Sequence, residues 1–121
     1  MKRIGLLCSV IAIAWAQNGG LLQRVPSGAA AKSSPFDDDD RARRAGAKLF
    51  ARECAACHGE DAEGTRRAPA LKREDIRQAA PGTLFWVLRN GSLRRGMPSF
   101  AHLPEQQRWQ IVTFLKSLDL Q

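Results

Sequence analysis

Apolar residues along this chain recur with helical spacing, and no segment alternates convincingly as a strand. Between Asp40 and Arg52 the small or apolar residues Ala42, Ala45, Gly46, Leu49 and Phe50 fall at i, i+3, i+4, i+7 and i+8, the stripe of one amphipathic helix face. The run Asp37 to Asp40 stands at the start of it, where negative charge favours the positive end of the helix dipole. A glycine on the apolar stripe costs about 1 kcal/mol of helix propensity relative to Ala, so Gly46 predicts a second helix crossing closely there. The partner expected is at the far end, where Pro104 suits a first helical turn and Trp109, Ile111, Val112, Leu115 and Leu118 recur through to the C-terminus. A middle helix is predicted from Thr83 to Asn90, ended by Gly91 as a left-handed cap. The fold class expected is all-α.

Ahead of these elements the pattern changes. The chain opens Met1-Lys2-Arg3, continues as an apolar stretch from Ile4 to Trp15, and closes on Ala14-Trp15-Ala16 before Gln17. A positive start, a short apolar run and small residues at its end predict an export signal over residues 1–16. The run falls short of the roughly 18 residues needed to cross a bilayer, so a retained anchor is the weaker reading. A lipid anchor on Cys8 is weaker still, because Gly5-Leu6-Leu7 puts no small residue beside it. Gln17 to Ser34 holds Gly19-Gly20, Pro26, Ser27-Gly28 and Ser33-Ser34 with no sustained period, so residues 17–40 are expected to be a flexible tether to a folded domain over 41–121.

Composition agrees with one small domain. Of 121 residues 44% are hydrophobic, and 10 Gly with 6 Pro exclude a collagen-like chain. The length leaves no room for a multi-domain enzyme. The formal net charge is +7, and loss of Lys2 and Arg3 with the leader would leave +5. Arg66, Arg67, Lys72, Arg73, Arg89, Arg94 and Arg95 crowd into one stretch. An exported chain rarely meets nucleic acid, so acidic partner proteins or an anionic membrane surface are the expected counterparts.

The chemistry concentrates in Cys54-Ala55-Ala56-Cys57-His58. Roughly one chain in a thousand of this composition would carry such a string by chance. Two thiols three residues apart on one turn can add to the two vinyl groups of a haem, and the next residue then offers an imidazole to the iron. A thioredoxin-like dithiol would need a strand-rich context and gives the histidine no task. A zinc site from Cys54, Cys57, His58 and His102 lacks the usual second pair spacing. With the leader gone Met97 is the only methionine, set in Arg95-Gly96-Met97-Pro98-Ser99-Phe100. A lone methionine commonly fills a gap in a core, but Gly96 and Pro98 place this one on an irregular loop able to lean over a flat cofactor. Met97 is therefore the expected sixth iron ligand, with His102 as its rival.

These strings, together with Gly46-x-x-Leu49-Phe50, Ala68-Pro69-Ala70-Leu71 and Trp109 to Leu118, resemble a monohaem class I c-type cytochrome over residues 42–118. The resemblance implies a small helical fold wrapped around one covalently attached haem c. It implies that Gly46 and Phe50 cross the last helix near Trp109, Val112 and Phe114, and that the Pro69 carbonyl receives the ring N–H of His58. By the same resemblance Leu71, Leu84, Phe85, Leu88 and Phe100 line the haem. The chain has no Tyr, so contacts to the haem carboxylates fall to Trp86, Trp109, Arg89 or backbone donors. The function implied is a monomeric periplasmic electron carrier with no substrate turnover, serving an acidic redox partner: a terminal oxidase, a quinol-oxidising complex or a periplasmic dehydrogenase. The alternative is a small haem enzyme subunit, peroxidase-like or acting on sulfur compounds, whose sixth ligand leaves during turnover.

Overall fold

The computed structural model describes residues 20–119. Its helices are α1 (Ser27–Ala30), α2 (Asp40–Glu53), α3 (Ala55–His58), α4 (Glu74–Gln78), α5 (Pro81–Asn90) and α6 (Glu105–Lys116), with 3-10 turns at Leu21–Arg24 and Leu93–Arg95. Among the described residues there is no strand, only an isolated antiparallel bridge between Ser92 and Met97. Among the described residues no helix is long and apolar enough to cross a membrane. The expected leader lies wholly outside the described residues, as does the start of the tether.

The acidic run does what its position suggests. Asp39 caps α2 by accepting the Ala42 N–H at 2.9 Å, and Asp40 occupies the first turn. The buried face of α2 is Ala42, Gly46, Leu49 and Phe50, and it crosses α6. A Cβ on Gly46 would lie 2.0 Å from the backbone oxygen of Gln110, so the absence of a side chain is what brings the two backbones together. Phe50 and Phe114 close the crossing with ring centroids 5.3 Å apart. α5 starts at Pro81, two residues before the predicted start, because its proline supplies the preset first turn. It stops at Gly91, whose φ is 64°. α6 has Pro104 as its N-cap and ends at Lys116. The periodicity therefore overran the helix, although Leu118 still packs on the core. Leu49, Phe50, Leu84, Leu88, Trp109, Ile111, Val112 and Leu115 form one buried cluster.

The largest departure from expectation is at the N-terminal side. Residues 20–40 are not a featureless tether: the Leu21–Arg24 turn and α1 both pack against α5. Leu22 and Phe36 join the core, and the Phe36 carbonyl accepts the Thr113 hydroxyl at 3.2 Å. Elements four residues long show no period of 3.6 in a sequence, so composition alone hid them.

Candidate functional site

α2 gives way to α3 at Cys54, whose φ of −120° leaves the helical range. Its N–H still bonds the Phe50 carbonyl at 2.9 Å, while its own carbonyl accepts from Cys57 (3.2 Å) and His58 (2.9 Å). One tight turn thus gathers Cys54, Cys57 and His58 on one side, since positions three and four apart share a helix face. All three line a single cavity of about 690 Å³.

The chain after α3 folds back to hold the histidine. The Gly64 N–H bonds the His58 carbonyl at 2.8 Å, and the Leu71 N–H bonds Ala62 at 2.9 Å. The Thr65 hydroxyl donates to the Cys57 carbonyl. This closure brings the Pro69 carbonyl to 2.8 Å from His58 Nδ1. A carbonyl oxygen can only accept, so Nδ1 carries the proton and the lone pair of Nε2 is left free.

Met97 lines the same cavity, reaching it from the loop after α5. Ser92 and Met97 exchange backbone hydrogen bonds of 2.9 and 3.0 Å, and the Phe100 N–H bonds Leu88 at 2.8 Å. The loop is thereby stapled at its base and again beyond Met97. His102 is exposed and lies beside the Phe100 ring, centroids 6.0 Å apart; it is not on the cavity wall. Among the described residues no three His, Cys, Asp or Glu side chains stand close enough to share a metal ion.

Burial pushes the Cys54 thiol up to about 12, with the charges of Glu53 and Cys57 adding to the effect. The attacking thiol of a dithiol redox centre needs the opposite, a thiolate stabilised near neutral pH. Cys54 is thus poorly built to act as an attacking thiolate.

The rest of the wall corrects two expectations. Leu71, Leu84, Leu88 and Phe100 line the cavity, and so do Ile76, Val87 and Leu115. Phe85 does not; it stacks on Trp109 with centroids 3.9 Å apart and planes at 11°. On α5, Leu84 and Leu88 share one face, and Phe85 stands a step round, towards α6. Nor do Trp86, Trp109 or Arg89 reach the cavity; its polar members include Arg67, Arg73, Arg95 and Gln78. Arg73 pairs with Asp75 through its Nε at 2.9 Å, which holds the Asp75 carboxyl below its usual range.

Protein interiors seldom hold voids larger than a water molecule, and ligand sites typically occupy about 300–1,000 Å³. An apolar cavity of this size, edged with arginine and carrying two thiols beside an imidazole of fixed tautomer, fits a haem attached through sulfur.

Residues 41–115 match the family model described as cytochrome c oxidase, cbb3-type, subunit III. Among solved structures, cytochrome cL from the marine methylotrophic bacterium Methylophaga aminisulfidivorans MPT is 28% identical, with a TM-score of 0.62 over 72% of this chain and 59% of that one. The c-type cytochrome XoxG from Methylobacterium extorquens AM1 is 24% identical, with a TM-score of 0.55 over 63% of this chain and 49% of that one. Cytochrome cL from Hyphomicrobium denitrificans is 14% identical, with a TM-score of 0.60 over 83% and 67%. The last two likenesses concern the fold alone. The chain spans about three fifths of the Methylophaga protein and half of XoxG. No curated protein matches it.

Proposed function

Because the chain belongs to the class I c-type cytochromes, within the family of cbb3-type oxidase subunit III, and so carries a covalently bound haem c, we propose that it is an exported one-electron carrier whose iron is held by His58 and Met97. The observation that carries this reading is the convergence of Cys54, Cys57, His58 and Met97 on one cavity. Bound there, the haem supplies a ferrous–ferric couple. Cys54 and Cys57 would tether it through thioethers. His58 would ligate through Nε2 while Pro69 keeps the ring oriented, a bond that also raises the basicity of the ligand. Met97, held by the Ser92 staple, would fill the sixth position, and a thioether there favours the reduced iron and raises the potential. With His58 and Met97 both committed to the iron, no ligand position would be left open to a substrate, and electron transfer would be the chemistry that remains. Export is supported by the leader pattern over residues 1–16 and by the cysteines being taken up as thioethers.

Replacing Met97 with Ala tests the assignment. The variant should keep its colour, lose any thioether-to-iron charge-transfer band of the oxidised form, show a lower midpoint potential, and bind CO when reduced. If the reduced wild type already binds CO freely, Met97 is not the ligand and the enzyme reading takes precedence.

The partner proposed is an acidic redox protein. Arg66, Arg67, Arg73, Arg89, Arg94 and Arg95 are all exposed, three of them at the cavity, and no acidic residue falls between Leu88 and Pro104. Leu93, 83% exposed, stands among them as an apolar contact point. Such a field raises the rate of encounter with negative partners and is screened by salt. The Arg89→Glu/Arg94→Glu variant should therefore react about tenfold more slowly with ferricyanide at low ionic strength, the gap closing as salt rises. Equal rates for the two proteins at low salt would end the steering idea.

A further inference from the structure

The cavity that takes the haem is closed partly by a stretch of chain whose sequence reads as linker. Gly20, Leu21, Leu22 and Gln23 line it together with Cys54, Cys57, His58 and Met97. The turn is internally braced, with the Gly20 N–H on Gln23 Oε1 at 2.6 Å and the Gln23 N–H on the Gly20 carbonyl at 2.9 Å.

What keeps the turn in place lies further along. A Cβ built on Gly82 would lie 2.3 Å from the Ala29 oxygen, 2.7 Å from that of Lys32 and 2.8 Å from that of Ala30. Three carbonyls thus press on one buried position of α5 that has no side chain to exclude them. Lys32 pairs with Glu105 at 3.3 Å and stands 4.9 Å from the centre of the Phe85 ring. That ion pair is exposed at both ends, 53% and 59%, so it contributes little. The seating of backbone on Gly82 and the burial of Leu22 and Phe36 therefore carry the attachment.

We propose that residues 20–36 are a strap forming a wall of the haem pocket, latched at Gly82, and that Leu21 and Leu22 keep water from the edge of the group. This rests on the haem reading of the cavity. The apolar shell around a redox centre sets solvent access and local dielectric, and through them the potential. The strap is thereby a determinant of potential and of access by small reagents.

Gly82→Ala isolates the latch, because Gly82 does not line the cavity and Ala favours the helix over Gly. The holoprotein variant should retain its haem and helix content. Tryptic cleavage after Arg24 and Lys32 should speed up about tenfold, as expected when a packed segment opens more often. Its midpoint potential should fall, and reduction by ascorbate should be faster. Leu21→Ser, which alters the wall at a residue that takes no part in the attachment, should lower the potential without faster cleavage at Lys32. A freed strap with unchanged potential and unchanged ascorbate rate overturns the proposal, as does a Gly82→Ala strap cleaved no faster than the wild type. A colourless wild type from a host competent to attach haem would instead overturn the haem reading itself.

Discussion

Replacing Cys54 and Cys57 together by Ser is expected to yield a chain that does not hold its fold when made without haem. The cavity measures about 690 Å³. At about 24 cal/mol per Å³ an empty void of that size would cost on the order of 15 kcal/mol if fully closed, whereas a whole domain is stable by only about 5–15 kcal/mol. An open mouth reduces the penalty by admitting water, but Leu71, Ile76, Leu84, Leu88 and Leu115 would then face that water, losing burial at about 25 cal/mol per Å². Collapse is resisted from two sides, because α2 is pinned to α6 at Gly46 and the Met97 loop is stapled at Ser92. Far-UV circular dichroism should show most of the helix lost, and amide proton shifts should crowd into the range of an unfolded chain. A well-dispersed spectrum with a cooperative melt, from protein free of haem, would mean that the core closes without its cofactor.

Legibility in the sequence followed length and locality. α2, α5 and α6 each run ten residues or more, enough for a stripe to repeat, and their existence could be read directly, as could the pairing of α2 with α6. α3, α4 and the two 3-10 turns are three to five residues long and leave no period to detect. Phase was harder than period. α5 is buried at Gly82, Thr83, Leu84, Phe85, Val87 and Leu88, so its sequence cannot say which apolar face meets the cavity and which meets α6, and nothing in the pattern corrects the place at the haem that the resemblance implies for Phe85. Cys54 to His58 is a local string and declares itself. Pro69 entered only through family resemblance, because a carbonyl acceptor leaves no mark on side-chain pattern. The strap was hidden by the same logic: its main seat is three carbonyls against a glycine, and glycine in a helix reads as a propensity cost unless the crossing chain is seen. The arginines could be counted in the sequence, yet only the fold separates Arg67, Arg73 and Arg95 at the cavity from Arg89, which is not.

Gly46→Leu should be the most damaging single substitution away from the haem-bearing residues. The first added carbon would already lie 2.0 Å from the Gln110 oxygen, 2.6 Å from its carbonyl carbon and 2.8 Å from Phe114 Cβ. Two of those atoms are backbone inside α6, so no rotamer change relieves the contact and the helices must part. Ala at this position would recover about 1 kcal/mol of helix propensity, yet overpacking typically costs about 1–3 kcal/mol, and the larger Leu should exceed 4 kcal/mol, roughly the range reserved for severe core lesions. The damage would reach the cofactor, because Cys54 follows directly from α2 and Leu115 belongs to α6, and both line the cavity. The two helices thereby set its width, and separating them should weaken the Met97 contact along with the fold. Denaturant melts of the holoprotein, followed by helix signal and by the methionine-to-iron band, should show both transitions moving to lower denaturant. Lys48→Leu, at an exposed position of the same helix, should shift stability by no more than about 0.5 kcal/mol. If Gly46→Leu were equally mild, α2 and α6 would not be in the backbone contact on which the cavity depends.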